Sequence, residues 1–361
     1  MTTILILGGY GATGRLLAKH LLAQTKHQII IAGRHLDKAQ TFVDSLHDKR
    51  ATARQVDATN IDSLKATLQD VDLILVAAPT THHTATVVRA ALDTGVDYLD
   101  VQYSDAKLDA LRAHEKEINE KGLCFVTEAG YHPGLPSAMI RFAASELQVI
   151  TSAMVAGYLN MGNLQYTEAV DELMEGFIHY QAQVYKNGAW IKPSSWDMRK
   201  FNFGAEIGSR TCYSMFFEEL RGIPAMYPTL KETGFYISGS NLLADLIMTP
   251  IIMVGLKLAP KRGIRPLGKL MWWAMGQSKP PYRVALMVEA KGQLNGGHAQ
   301  VHMRIEHEDG YELTAIPVVA FLMQYDQIRQ SGLHMMGHLA EPKRLFKDME
   351  KMGVMVTMTT Q

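Results

Sequence analysis

Cysteine is scarce: Cys124 and Cys212 are the two in 361 residues, far apart and outside any Cys-x-x-Cys or Cys/His ligand spacing. That excludes a disulfide framework and leaves no structural metal in the reading. Charge of one sign is lacking as well. Thirty-six Lys and Arg balance thirty-six Asp and Glu, so the chain as a whole offers no field for nucleic acid. No apolar run reaches the ~20 residues that span a bilayer. The longest, residues 242–258, is broken by Asp245, Pro250 and Lys257. No charged leader, apolar h-region or cleavage site precedes the first strand, so a cytoplasmic protein is expected. Internal repeats and low-complexity linkers are absent too.

What is present is the ordinary stuff of globular enzymes, 47% apolar and 20% charged. The length exceeds one usual core and predicts two domains. The most informative stretch comes first. Ile4-Leu5-Ile6-Leu7 reads as a buried parallel strand, Gly8-Gly9-Tyr10-Gly11-Ala12-Thr13-Gly14 as a glycine loop, and Arg15 to Leu22 as a helix. Such a loop turns tightly, lets its backbone approach a pyrophosphate and packs the helix close to the sheet. The helix amides and dipole then hold the phosphates.

A second apolar run, Ile29-Ile30-Ile31, ends in Ala32-Gly33-Arg34 about where NAD-preferring folds place a carboxylate on the ribose. Here a guanidinium follows instead. Arg34, with Lys38, suits a 2′-phosphate, so NADP is the expected cofactor.

Strand and helix then alternate to about residue 130, with strands ending at Asp57, Ala78-Pro79, Val101 and Thr127. This predicts an α/β fold: an N-terminal Rossmann domain with a doubly wound parallel sheet over residues 1–133. A second, α+β domain on a mostly antiparallel sheet is expected over residues 134–335, for substrate and dimer contacts. Residues 336–361 form a terminal helix and strand that return to complete either domain. Asn295-Gly296 between two alternating runs predicts a tight hairpin. The apolar residues 242–275 fit a buried helix pair, a dimer surface or a peripheral membrane contact.

Several stretches together resemble the saccharopine dehydrogenase/reductase-like oxidoreductases: residues 8–14, Ala32-Gly33-Arg34, Ala78-Pro79, Tyr98-Leu99-Asp100, Gly130-Tyr131-His132-Pro133-Gly134, and Asp309 to Ala315. The likeness covers residues 2–145 well and the rest in outline. It implies an NADP-binding Rossmann domain, an α+β domain carrying dimer contacts, and a small-molecule substrate. Saccharopine reductases make or cleave a secondary amine joining an amino acid to a dicarboxylate. Arg199, Arg210 and Arg221 are scattered here rather than clustered for several carboxylates, and other relatives are enoyl reductases on lipid-like substrates.

Hydride transfer needs a held nicotinamide and a proton donor for the atom that gains charge. Ala78 and Pro79 are placed to flank the nicotinamide ribose. Asp57 is read either as an acceptor for the adenine amino group or as a helix N-cap. Among crevice residues, His132, Tyr131 and Tyr103 are the candidate catalytic groups, with Glu128 beside them. No Tyr-x-x-x-Lys follows the fifth strand, which removes a short-chain dehydrogenase mechanism. His82-His83 is a poor metal pair, because neighbouring helical side chains point about 100° apart. The methionines from Met335 to Met358 read as adaptable core. The leading expectation is an NADP-dependent oxidoreductase acting on an imine, carbonyl or activated alkene. A lipid-acting enoyl reductase and a non-catalytic NADP(H) sensor are the alternatives.

Overall fold

The computed structural model describes residues 2–101, 104–162, 166–178, 180–194, 197–239, 241 and 243–361. Tyr103 lies outside the described residues. The chain divides into two compact units, Met1–Leu135 with Thr314–Met349, and Pro136–Leu313 with Glu350–Gln361.

In the first unit short apolar runs make parallel strands. With strands numbered along the whole chain, these are β1 (Thr3–Leu7), β2 (Gln28–Gly33), β3 (Ala51–Gln55), β4 (Leu73–Val76), β5 (Asp97–Asp100) and β6 (Cys124–Thr127). Ile4, Ile6, Ile29, Ile31, Ile74 and Leu75 are almost wholly excluded from solvent, as expected for a sheet covered on both faces. Helices Ala12–Gln24, Leu36–Leu46, Ile61–Thr67 and Thr84–Thr94 alternate with the strands. Two short helices, Asp105–Arg112 and Glu115–Glu120, precede β6. The sheet order is β15-β6-β5-β4-β1-β2-β3, where β15 is Gly332–Met335. Direction of winding reverses between β1 and β4, the place where such sheets bind ligands.

The chain returns to this unit earlier than the boundary at residue 335 implies. Asp309 Oδ1 accepts from the amides of Tyr311 (2.7 Å) and Glu312 (3.3 Å), so Asp309 starts the helix Gly310–Leu322. Polar staples then fix the segment beyond that helix. The Arg329 guanidinium donates to both oxygens of buried Asp97 at 2.6 and 2.8 Å, and Tyr325 Oη donates to the same carboxylate at 2.8 Å. Asp97 is buried while Arg329 is more than a third exposed, so solvent screens the pair and its loss costs about 1 kcal/mol. That attachment places β15 parallel to β6.

The second unit is a mixed sheet. Its path runs β10 (Met198–Asn202), β11 (Ser209–Met215), β12 (Glu232–Ser238), β7 (Val149–Asn160), β13 (Arg283–Leu294), β14 (Gly297–His307) and β16 (Met355–Thr360). Strands β8 (Val184–Lys186) and β9 (Ala189–Ile191) add on through β12. Within this sheet only β12 and β7 pair in parallel among the described residues. The β13–β14 hairpin turns at Asn295 (φ 52°) and Gly296 (φ 79°), the positive angles that the Asn-Gly pair predicts. The last strand completes this sheet, while the preceding helix Pro342–Lys351 lies largely in the first unit.

Candidate cofactor and active site

The loop after β1 is built so that side chains cannot occupy it. Gly8 turns at φ +83°, and its amide donates to Ala32 O at 2.8 Å. A Cβ on Gly8 would lie 2.7 Å from that of Ala78, and one on Gly14 only 2.3 Å from Gly8 O and 2.7 Å from Gly9 Cα. Contacts that short are with backbone or a rigid methyl, so the helix could approach the sheet this closely only with glycine. Gly11 is the N-cap of Ala12–Gln24, without a side-chain cap bond and without an acid in the first turn. The amides of Ala12, Thr13 and Gly14 and the positive dipole end are therefore left for an anion. That is the fit a dinucleotide pyrophosphate needs.

The rest of the cradle assembles around the same point. Tyr10 lies over Gly33, where a Cβ would meet its ring at 2.6 Å, and the Tyr10 hydroxyl accepts from the His35 amide at 3.2 Å. Ala78 packs against Gly8, and Pro79 is exposed beside it. Arg34 is exposed at the end of β2, with its carbonyl held by Gln55 Nε2 at 3.0 Å. Asp57 is not the N-cap. Asn60 caps Ile61–Thr67, accepting from the amides of Asp62 and Ser63. Asp57 Oδ1 instead accepts from the Thr59 amide and hydroxyl, and those bonds, aided by the Arg34 charge, hold its carboxyl below the usual range. Arg34 and Asp57 thus lie within reach of each other's charge at the carboxyl ends of β2 and β3.

At the other side of the sheet, β6 ends in a strained turn. Glu128 is buried with φ 53°, Gly130 and Gly134 adopt φ 140° and 123°, and a Cβ on Gly134 would meet Gly130 O at 2.6 Å. This compact turn presents Tyr131 and His132, whose ring centroids are 3.9 Å apart. Tyr131 is buried and its phenol is pushed well above its ordinary value by loss of solvent. His132 is pulled down to about 4 by burial, so its imidazole is neutral at pH 7. Tyr131 is thus core-like, whereas the His132 imidazole is neutral.

Sequence reasoning passed over Asp100 as a positioning group. Fully buried at the end of β5, it accepts from Tyr98 Oη at 2.8 Å and from Thr127 Oγ1 at 3.1 Å. Its carbonyl accepts from the Ala129 amide at 3.1 Å, which ties the start of the His132 turn to the sheet. The signal was a carboxylate at the carboxyl end of an otherwise apolar strand. His82 and His83 lie in the turn Thr81–His83 before a helix. Among the described residues no group of three or more His, Cys, Asp and Glu is placed to hold a metal.

Comparison with known proteins agrees with this geometry. Residues 4–126 match the saccharopine dehydrogenase NADP binding domain. Carboxynorspermidine synthase of Vibrio cholerae serotype O1 is 22% identical over 88% of this chain and 87% of that one. Saccharopine dehydrogenase [NADP(+), L-glutamate-forming] of Schizosaccharomyces pombe is 29% identical over 37% of this chain and 28% of its own. The fold matches apo saccharopine dehydrogenase (L-Glu forming) from Saccharomyces cerevisiae with a TM-score of 0.69 at 14% identity, over all of both chains. With its glycine cradle, its basic residue after β2 and the match over residues 4–126, the first unit carries an NADP-binding domain of the saccharopine dehydrogenase type.

Proposed function

We propose that the protein interconverts a C=N bond and a secondary amine in a small molecule that carries a carboxylate. When bound, the dinucleotide supplies or removes the hydride at carbon. The chain's own residues orient it and manage charge. Residues 8–14 hold the pyrophosphate through backbone amides, and Arg34 meets the 2′-phosphate.

The observation that carries the preference for C=N is the neutral imidazole of His132. Reduction of an imine proceeds through its protonated, cationic form. A neutral imidazole can accept a hydrogen bond from that N–H, whereas an imidazolium would repel it. Reduction of a carbonyl instead needs a proton delivered to oxygen. A histidine with its value near 4 is unprotonated at pH 7 and holds no spare proton for that step.

The second unit supports the same substrate class. It has a cavity of about 330 Å³ lined by Tyr158, Asn160, Glu206, Arg210, Ser278 and Lys279, among others. Arg210 and Lys279 suit a carboxylate. Buried Asn160 Oδ1 has no hydrogen-bond partner among the described residues, and it wants a donor such as an amine. Arg199 and Arg221 are engaged elsewhere, with Glu232 and Glu218. The names of two relatives, carboxynorspermidine synthase and saccharopine dehydrogenase, likewise point to carboxylated amines.

The test is NADPH consumption with a panel of primary amines and oxo acids or amino-acid semialdehydes, offered together and singly. Consumption only when both are present is the expected result. Turnover of a carbonyl compound alone, or of an enoyl thioester, would overturn the reading.

A further inference from the structure

The segment 246–282 departs from the balance of the chain. It carries Lys257, Lys261, Arg262, Arg265, Lys269 and Lys279 and no Asp or Glu. All six cations are exposed. Within it the helices Thr249–Leu258 and Ile264–Met275 pack through Ile252, Leu256 and Leu267. The first helix, with the π-helical turn Leu243–Met248 that leads into it, is apolar on its outer side too. Ile247, Ile251, Val254 and Leu258 are 50, 51, 57 and 81% exposed, and Trp273 on the second helix is 54% exposed. Spacings of four, three and four residues put the four aliphatics in one stripe along the helical surface.

A row of solvent-facing aliphatics beside exposed lysines and arginines, with an indole nearby, has the physical character of a helix that lies in a membrane interface. We propose that this face docks the protein on an anionic lipid surface, with the Ile247, Ile251, Val254 and Leu258 row entering the acyl boundary and Lys257, Lys261, Arg262, Arg265 and Lys269 meeting headgroup phosphates. The neighbouring acids Asp171, Glu172 and Glu175 on helix Glu168–Ile178 are half-buried, whereas the cations of the segment are exposed. That charge also argues against a second copy as the occupant. A two-fold contact sets the same patch against itself, cation against cation, with no carboxylate of the segment to offset the repulsion. No helix of the described residues is long and apolar enough to cross a membrane, so the contact is one of lying on the surface. The inference is independent of the reaction proposed above.

The experiment is co-sedimentation of the full chain with vesicles of phosphatidylcholine alone and of phosphatidylcholine mixed with phosphatidylglycerol, at low and high salt. Binding to the anionic vesicles alone, weakened by salt, is expected. Lys261→Glu with Arg262→Glu should lower partitioning by roughly tenfold or more, and Val254→Asp should do the same, each with unchanged melting temperature and NADPH affinity. Absence of binding to either vesicle overturns the proposal. So does a dimer in light scattering that Val254→Asp dissociates while vesicles bind nothing, because the face then belongs to a second copy.

Discussion

Two glycine turns leave the carboxyl ends of parallel strands in the first unit, and they are packed alike. Gly14 is pressed on Gly8 O after β1, and Gly134 on Gly130 O after β6. They differ in what they offer. The first presents backbone amides at the start of a thirteen-residue helix with no side-chain cap. The second presents two aromatic side chains whose proton states are set by burial. Phosphate binding by amides depends on where the backbone goes, and proton handling depends on what surrounds a side chain.

The sharpest way to break that comparison is to add one methyl to each turn. Gly14→Ala drives a Cβ to within 2.3 Å of Gly8 O, so the helix start must move away from the strand. NADPH binding should weaken by roughly a hundredfold, the loss of about two hydrogen bonds to a charged group. Gly134→Ala should leave NADPH affinity near its starting value, cost about 2 kcal/mol of stability from strain at φ 123°, and abolish turnover. Fluorescence titration of nicotinamide separates the two. Equal loss of nucleotide binding in both variants would mean that the turns act as one site.

The same contrast explains what could be read from the sequence. Six strands of the first sheet, their parallel, doubly wound character and the β1 cradle follow from apolar runs, glycine spacing and the missing carboxylate after β2. These are local features. The seventh strand, Gly332–Met335, was missed because its place depends on Asp97 meeting Tyr325 and Arg329, over two hundred residues away. Likewise His132 was identified as a site residue, but its neutral state follows from three-dimensional enclosure. Asp57 and Asn60 sit three residues apart with similar side chains, and only backbone geometry decides which caps the helix. The outward aliphatic stripe at Ile251 and Val254 was ambiguous for the same reason: a short apolar helix has two apolar sides, and packing chooses which is buried.

A smaller effect sharpens the cofactor side. Arg34→Asp removes the cation at the end of β2 and places a second carboxylate near Asp57, whose carboxyl is already held ionised. NADPH affinity should fall about ten- to a hundredfold while NADH affinity changes only a few-fold, since the 2′-phosphate alone loses its charged donor. Parallel titrations with the two nucleotides check it. An equal fall for both would remove Arg34 from the 2′-phosphate and leave specificity elsewhere in the cradle.

The smallest effect tests the other turn through pH. His132 lies at about 4 in the folded chain against 6.5 for an ordinary imidazole. The folded state therefore binds fewer protons than the unfolded one between those values, and stability must fall as pH drops from about 6.5 through 4. For a ring of intermediate exposure the loss is on the order of 2 kcal/mol. His132→Asn should flatten that part of the profile, because every other titrating group is common to both proteins. Urea midpoints at pH 7 and 4.5 for the two proteins give the difference directly. Parallel profiles would make the imidazole an ordinary one, charged or neutral as solvent dictates, and would remove the ground for preferring a C=N substrate over a carbonyl.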